Sequence, residues 1–158
     1  MGTRERLALC LLLYTGQRGR SDVSRMGRQH VQGGMLRVRQ QKTGAELMLP
    51  LPAPLLEAIA AVPAGNLTFL TNKYGKPFTP AGFGNWFRNQ CRAAGLPHCS
   101  AHGLRKAAAR RLAEAGCTEH EIAAITGHAS LKEVQRYTKS ADQKRLAIAA
   151  MAKIKDST

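Results

Sequence analysis

The residues with the most chemistry to offer stand in 125–139, ITGHASLKEVQRYTK, where His128 precedes Tyr137 by nine positions. On one continuous helix nine residues span roughly 13.5 Å, and the two side chains point from opposite faces. Gly127 is a helix stop after residues 121–126, and Ser130 with Glu133 has the form of a capping box. The spacing predicts a helix, a tight turn carrying His128, and a short second helix presenting Tyr137. A tyrosine beside a histidine in a basic setting is what nucleophilic attack on a DNA phosphodiester requires. The same stretch also suits a core tyrosine and a turn histidine, so the rest of the chain has to decide.

Other candidate anion contacts are spread along the chain. Gln17-Arg18-Gly19-Arg20-Ser21-Asp22 places two guanidinium groups beside an expected helix start at Ser21. A guanidinium fork matches two non-bridging phosphate oxygens, which a lysine cannot contact bidentately. Lys42 stands in Lys42-Thr43-Gly44-Ala45, a turn between two alternating runs. His102 and Arg105 share one helix face, near an N-terminus capped by Ser100 whose free amides favour an anion. Lys106, Arg110 and Arg111 extend the positive charge as solvated or backbone-contacting side chains.

These residues need elements to hold them. Residues 3–14 read as a mostly apolar, buried helix broken at Thr15-Gly16. Strands are expected near 30–32, over 35–41 and over 46–50, with turns at Gly33-Gly34 and at Lys42-Thr43-Gly44-Ala45. A proline-started helix follows over 52–62, then a short buried strand over 67–70 and a basic loop over 72–77. Thr79 caps a helix to Ala93 whose Phe83, Trp86 and Phe87 recur at helical spacing and read as core. Helices then run from Ser100 to Gly116 and from a Thr118–Glu121 capping box. A separate final helix over 141–155 carries Leu146, Ile148, Met151 and Ile154. The expected fold class is mainly α (α+β): many helices with a small antiparallel three-stranded sheet near the N-terminal third.

Composition narrows the partners. The 158 residues fit one domain with a real core. A formal net charge of +14 and a pI near 10.4 point to a polyanion. Aromatic content of 5% argues against a base-stacking single-strand platform. The four cysteines lack CxxC spacing, so they read as reduced core thiols of a cytoplasmic protein. No apolar run of about 18 residues predicts a membrane span, and no signal peptide is visible.

In order, then, the chain offers Arg18, Lys42, His102-x-x-Arg105, His128 and Tyr137, a set that resembles the tyrosine recombinases of the phage integrase family. Thr15-Gly16-Gln17-Arg18 is similar to that family's first arginine box. Ala101-His102-Gly103-Leu104-Arg105 is similar to its His-x-x-Arg box, and Thr126-Gly127-His128-Ala129-Ser130 with Arg136-Tyr137-Thr138 to its last box. The likeness covers essentially residues 1–158 and corresponds to the family's catalytic domain, without the core-binding and arm-binding domains that usually precede it.

The resemblance implies strand exchange with no metal and no cofactor. Tyr137 would attack a phosphodiester to leave a 3′-phosphotyrosine and a free 5′-hydroxyl. Arg18 and Arg105 would hold the non-bridging oxygens, and His128 would hydrogen-bond the phosphate. His102 would be general base and Lys42 the acid for the departing oxygen. The family's acidic residue normally follows the first arginine by three, whereas Asp22 follows Arg18 by four and Arg20 by two. Arg18 keeps the Thr-Gly-x-Arg frame, with Arg20 as its rival. Lys106 stands where many members carry histidine.

The implied partners are double-stranded DNA and three further copies of the chain, a homotetramer joined through the C-terminal helix. An accessory DNA-bending protein is a further possible partner, and the implied location is the nucleoid in a bacterial cytoplasm. The alternative from another class is a non-catalytic helix-turn-helix DNA-binding module over 119–138, which leaves Arg18, Lys42 and Arg105 without a part.

Overall fold

Thr3 opens the first helix by accepting a hydrogen bond from the Arg6 amide through its hydroxyl, and Gly16, at φ 63°, closes it. In this computed structural model, which describes residues 3–155, α1 is therefore Arg4–Thr15. Leu7, Ala8, Leu11 and Leu12 are fully buried, and α1 packs on α2, Ala53–Ala60. Each such leucine contributes about 1.5–3 kcal/mol of apolar burial. Leu9 stays exposed, so the burial expected of α1 holds for one side only.

The sheet has the expected antiparallel order β1 (Val31–Gln32), β2 (Met35–Arg39) and β3 (Glu46–Pro50). Gly33 and Gly34 both take positive φ in the β1–β2 turn, the requirement of a tight primed turn. Leu36 faces Leu49 and Val38 faces Leu47 across β2 and β3. Leu36, Val38 and Leu49 point into the core, while Arg37 and Arg39 point out, the alternation a one-faced sheet needs.

α3 (Pro80–Ala93) carries the aromatic core. Phe83 is fully buried amid Phe78, Trp86 and Phe87, with ring centroids 5.8–5.9 Å away. The Arg4 guanidinium lies 5.0 Å over Trp86. α4 is Ala101–Glu114, with Ser100 Oγ accepting from the Gly103 amide. α5 is Glu119–Thr126, and its capping box is formed as expected: Thr118 accepts from the Glu121 amide and Glu121 from the Thr118 amide. Those bonds hold the exposed Glu121 carboxyl below its ordinary 4.5. α6 is Leu131–Lys155.

Four expectations need correction. The last box does not sit on a short helix followed by a separate one: α6 is a single helix of 25 residues. Nothing between Lys139 and Ala141 breaks it, because Ser140 is neither glycine nor proline. Residues 67–70 are buried in part but form no strand. Phe69 donates to Met26 O, the Thr68 hydroxyl donates to the Leu70 carbonyl, and the next residue, Thr71, makes an isolated bridge to Pro77, which has no amide to extend a ladder. Ser21 starts no α-helix. A 3₁₀ turn at Val23–Arg25 follows, and the Asp22 carboxylate accepts from the Gln41 amide, 2.9 Å. The four cysteines are free but half-buried rather than core; burial and neighbouring Cys99 push the Cys91 thiol up.

The chain divides into two compact units, Met1–Ala108 and Ala109–Thr158. In the second, Ala109, Ala113, Ile122 and Val134 make the core. Among the described residues, no helix is long and apolar enough to cross a membrane.

Candidate active site

The first unit holds four of the six expected residues. α1 ends at Gly16, and the chain turns through Gln17 and Arg18 with the Asp22 and Val23 amides both donating to the Arg18 carbonyl at 3.0 Å. This turn is seated on the aromatic core at Gly19. A Cβ there would lie 2.7 Å from Phe83 Cε1 and 2.9 Å from Ala101 Cβ, so only glycine lets the turn come this close. The Arg20 guanidinium is laid against the Gly84 backbone of α3. Arg18 differs: its Nη1 is buried with no hydrogen-bond partner. An orphaned cationic nitrogen is costly and suits an anion brought to it, which favours Arg18 over Arg20.

Arg105 reaches the same turn from α4. Its side chain is only 4% exposed and Nη1 donates to the Gly16 carbonyl at 2.6 Å. The two arginines are thus anchored two residues apart on one piece of backbone. His102 lies one turn before Arg105 on α4 and is exposed.

Lys42 is exposed at the β2–β3 turn, as a hairpin lysine should be. Gly44, at φ 71°, lets the turn close, with Gly44 donating to Gln40 O and Gln40 to Ala45 O. The turn is held from within. Gln17 Nε2 donates to Thr15 O, Gln40 Nε2 donates to Gln17 Oε1 at 2.6 Å, and the Thr43 hydroxyl donates to Gln40 Oε1 at 2.8 Å. Gln17 and Gln40 are both fully buried. Beside the turn, a groove of about 810 Å³ is lined by Asp22, Arg25, His30, Arg37, Arg39 and Gln41 among others.

The second unit holds His128 and Tyr137. Gly127, at φ 70°, ends α5 and donates to Ala123 O, so the chain turns at His128 as expected. The Thr126 hydroxyl donates to Ile122 O at 2.8 Å and lies 2.6 Å from His128 Nδ1. With its hydrogen committed to the helix carbonyl, Thr126 accepts from Nδ1–H, a tautomer assigned from these bonds. His128 Nε2 is 3.8 Å from a Glu133 carboxylate oxygen. Tyr137 stands in the second turn of α6, half-buried against the Ala109–Ala113–Ile122–Val134 core. Thr138, next to it, donates to Glu119 at 3.1 Å and pins α6 to α5.

The structure therefore brings Arg18 and Arg105 to one turn, links the separate Lys42 turn to it through Asp22 and the Gln17–Gln40 pair, sets His102 on the helix that carries Arg105, and places His128 and Tyr137 on neighbouring turns of the second unit. Gln17, Gln40 and Thr126 went unrecognised in the sequence. A buried glutamine reads like a surface one until its partner, 23 residues away, is known.

The profile of the phage integrase family matches residues 1–144. Tyrosine recombinase XerC of Bifidobacterium longum (strain DJO10A) is 45% identical over 47 residues, 30% of this chain and 13% of that protein. A lambda integrase dimer bound to a COC′ core site superposes with a TM-score of 0.71 at 25% identity, over 85% of this chain and 42% of that one. The lambda integrase catalytic core gives 0.67 at 26%, over 79% of this chain and 80% of that one. XerA recombinase gives 0.73 at 20% identity, over 92% of this chain and 56% of that one, a likeness of fold. The chain thus spans well under two thirds of the curated relative and of the longer integrase chains.

Proposed function

The chain belongs to the phage integrase family, and from that premise we propose that residues 1–158 are the catalytic domain of a site-specific DNA recombinase. The observation that carries the reading is the pair of guanidinium groups on one turn: Arg105 bound to Gly16 O and Arg18 with an orphaned buried nitrogen. Two guanidinium groups held to one turn suit a phosphodiester, whose charge grows as a pentavalent transition state forms.

The reaction is a transesterification. Tyr137 Oη forms a bond to phosphorus as the P–O5′ bond breaks, leaving a 3′-phosphotyrosine and a free 5′-hydroxyl. The tyrosine proton passes to His102, and the departing O5′ takes a proton from Lys42. A phenol becomes a strong nucleophile only as its proton is taken, which is the part of such a base. Arg18 and Arg105 hold the non-bridging oxygens, and His128 contributes a hydrogen bond to the phosphate. A second 5′-hydroxyl attacking the phosphotyrosine reverses the step on a new strand, so the bond energy is kept and nothing in the sequence requires strand joining to use a nucleotide.

The partner is double-stranded DNA, which the net charge of +14 and the arginines lining the sheet groove support. Assembly as a homotetramer on DNA would run through the distal half of α6, where Leu146, Ile148, Met151 and Ile154 are all exposed. The setting is the bacterial cytoplasm, on the nucleoid, with room for an accessory DNA-bending protein. A helix-turn-helix built on α5 and α6 alone would leave the two arginines without a part.

Covalent trapping tests the reading. A nicked DNA substrate that loses its short 5′-hydroxyl fragment on cleavage should retain the protein on a denaturing gel. The band should form with wild type and be absent with Tyr137→Phe; a band of equal strength with Tyr137→Phe would sink the proposal.

A further inference from the structure

A lysine at an exposed turn has many places to put its ammonium, yet proton donation to one oxygen requires it to arrive at one place. The backbone on both sides of Lys42 is tied to the arginine turn by side-chain hydrogen bonds. On one side Gln41 N donates to Asp22 Oδ1. On the other, Thr43 is the end of a relay: Thr43 Oγ1 to Gln40 Oε1, Gln40 Nε2 to Gln17 Oε1, Gln17 Nε2 to Thr15 O.

The directions in the relay are forced. A backbone carbonyl can only accept, so Gln17 must turn its NH₂ to Thr15 and its oxygen to Gln40. Gln40 must then present NH₂ to Gln17 and oxygen to Thr43, whose hydroxyl donates. Flipping either amide would set donor against donor or acceptor against acceptor. With both glutamines fully buried, no water is at hand to repair a flip. One arrangement of the two amides satisfies the relay, and slipping the turn breaks the series.

We infer that Gln40, backed by Gln17, is the positioning residue for Lys42, holding the lysine turn in register with the turn that carries Arg18. The inference rests on the proposed role of Lys42 as the acid for O5′ and concerns how that acid is delivered. The side chain swings; the turn beneath it does not.

The test separates delivery of a proton from general loss of structure. In the full chain, Lys42→Ala, Gln40→Leu and Thr43→Val are compared with wild type on nicked DNA carrying either oxygen or sulfur at the scissile 5′ bridging position. A thiolate, whose conjugate thiol has a pKa of about 8.5, leaves without a proton. On the oxygen substrate Lys42→Ala should cleave about 100-fold slower and Gln40→Leu about tenfold slower. On the sulfur substrate both should return to within about twofold of wild type, because the acid step is bypassed.

Equal slowing of Gln40→Leu on both substrates would assign Gln40 a merely structural part and overturn the inference, as would wild-type rates on both. If Gln40→Leu does not fold, Thr43→Val is judged by the same contrast, since at an exposed residue it removes the last link together with the weaker Ala45 amide bond to the same hydroxyl. A wild-type chain that cleaves neither substrate removes the functional reading itself. The relay is then judged by tryptic nicking after Lys42, which should be faster in Thr43→Val than in wild type and whose equality would overturn it.

Discussion

At the scale of the residue, burial separates the arginines that can work on a phosphate from those that cannot be told apart by type. Arg105 is nearly sealed and is fixed by one nitrogen on Gly16 O. Arg105→Lys keeps the charge but offers a point contact, so it should slow DNA cleavage by about 100-fold. It should also lower stability by about 1–3 kcal/mol through the Gly16 carbonyl, measured by urea unfolding; unchanged cleavage would remove Arg105 from the site. Thr126→Val preserves shape and takes away the acceptor for His128 Nδ1. Cleavage should fall about tenfold and recover in Thr126→Ser; failure of serine to restore it would mean that the hydroxyl does not orient the ring. The residue types and their order were legible in the sequence because each carries charge or a nucleophile. Gln17, Gln40 and Thr126 were not, since a neutral amide or hydroxyl declares its task only through a partner brought close by folding.

At the scale of the element, helix ends were legible and helix continuity was not. Thr79 and Thr118 cap their helices and Gly16 and Gly127 end theirs, as the residue types require. The capping box of α5 also gives a pH dependence. Glu121 titrates below its ordinary 4.5 in the folded chain, so its charged form is favoured by folding. Its contribution is present above that ordinary value and is lost as pH falls through the lowered one. The difference in thermal midpoint between wild type and Glu121→Gln should therefore be present at neutral pH and vanish in acid; a difference constant with pH would contradict this. The continuity of α6 escaped notice because Ser130 and Ala141 each look like a beginning, whereas only the first follows a stop. Its distal apolar residues follow from that continuity. Leu146→Glu with Ile148→Glu should abolish cooperative assembly on DNA in sedimentation while leaving the thermal midpoint unchanged, since both side chains are already exposed. Cooperativity that survives both changes would place assembly elsewhere.

At the scale of the whole molecule, charge and sheet patterning were the most readable features. A net charge of +14 should make DNA affinity fall steeply with salt, each phosphate neutralised adding about −0.9 to the log–log slope. A slope near zero in a fluorescence-anisotropy titration would argue against a backbone-contacting surface. The mainly α fold with its three-stranded sheet was also readable, because alternation and helical periodicity are local. The division into two units was not, because it depends on which side chains find each other across long stretches of chain. What the two units do together is a matter of chemistry, and one measurement reaches it most directly: mass spectrometry of the peptide that carries DNA after the trapped complex is digested. The expected adduct is a phosphodiester joining the DNA 3′ end to Tyr137, with a 5′-hydroxyl on the released fragment. A DNA adduct on any other residue, or linkage through a 5′ phosphate, would contradict the proposed reaction.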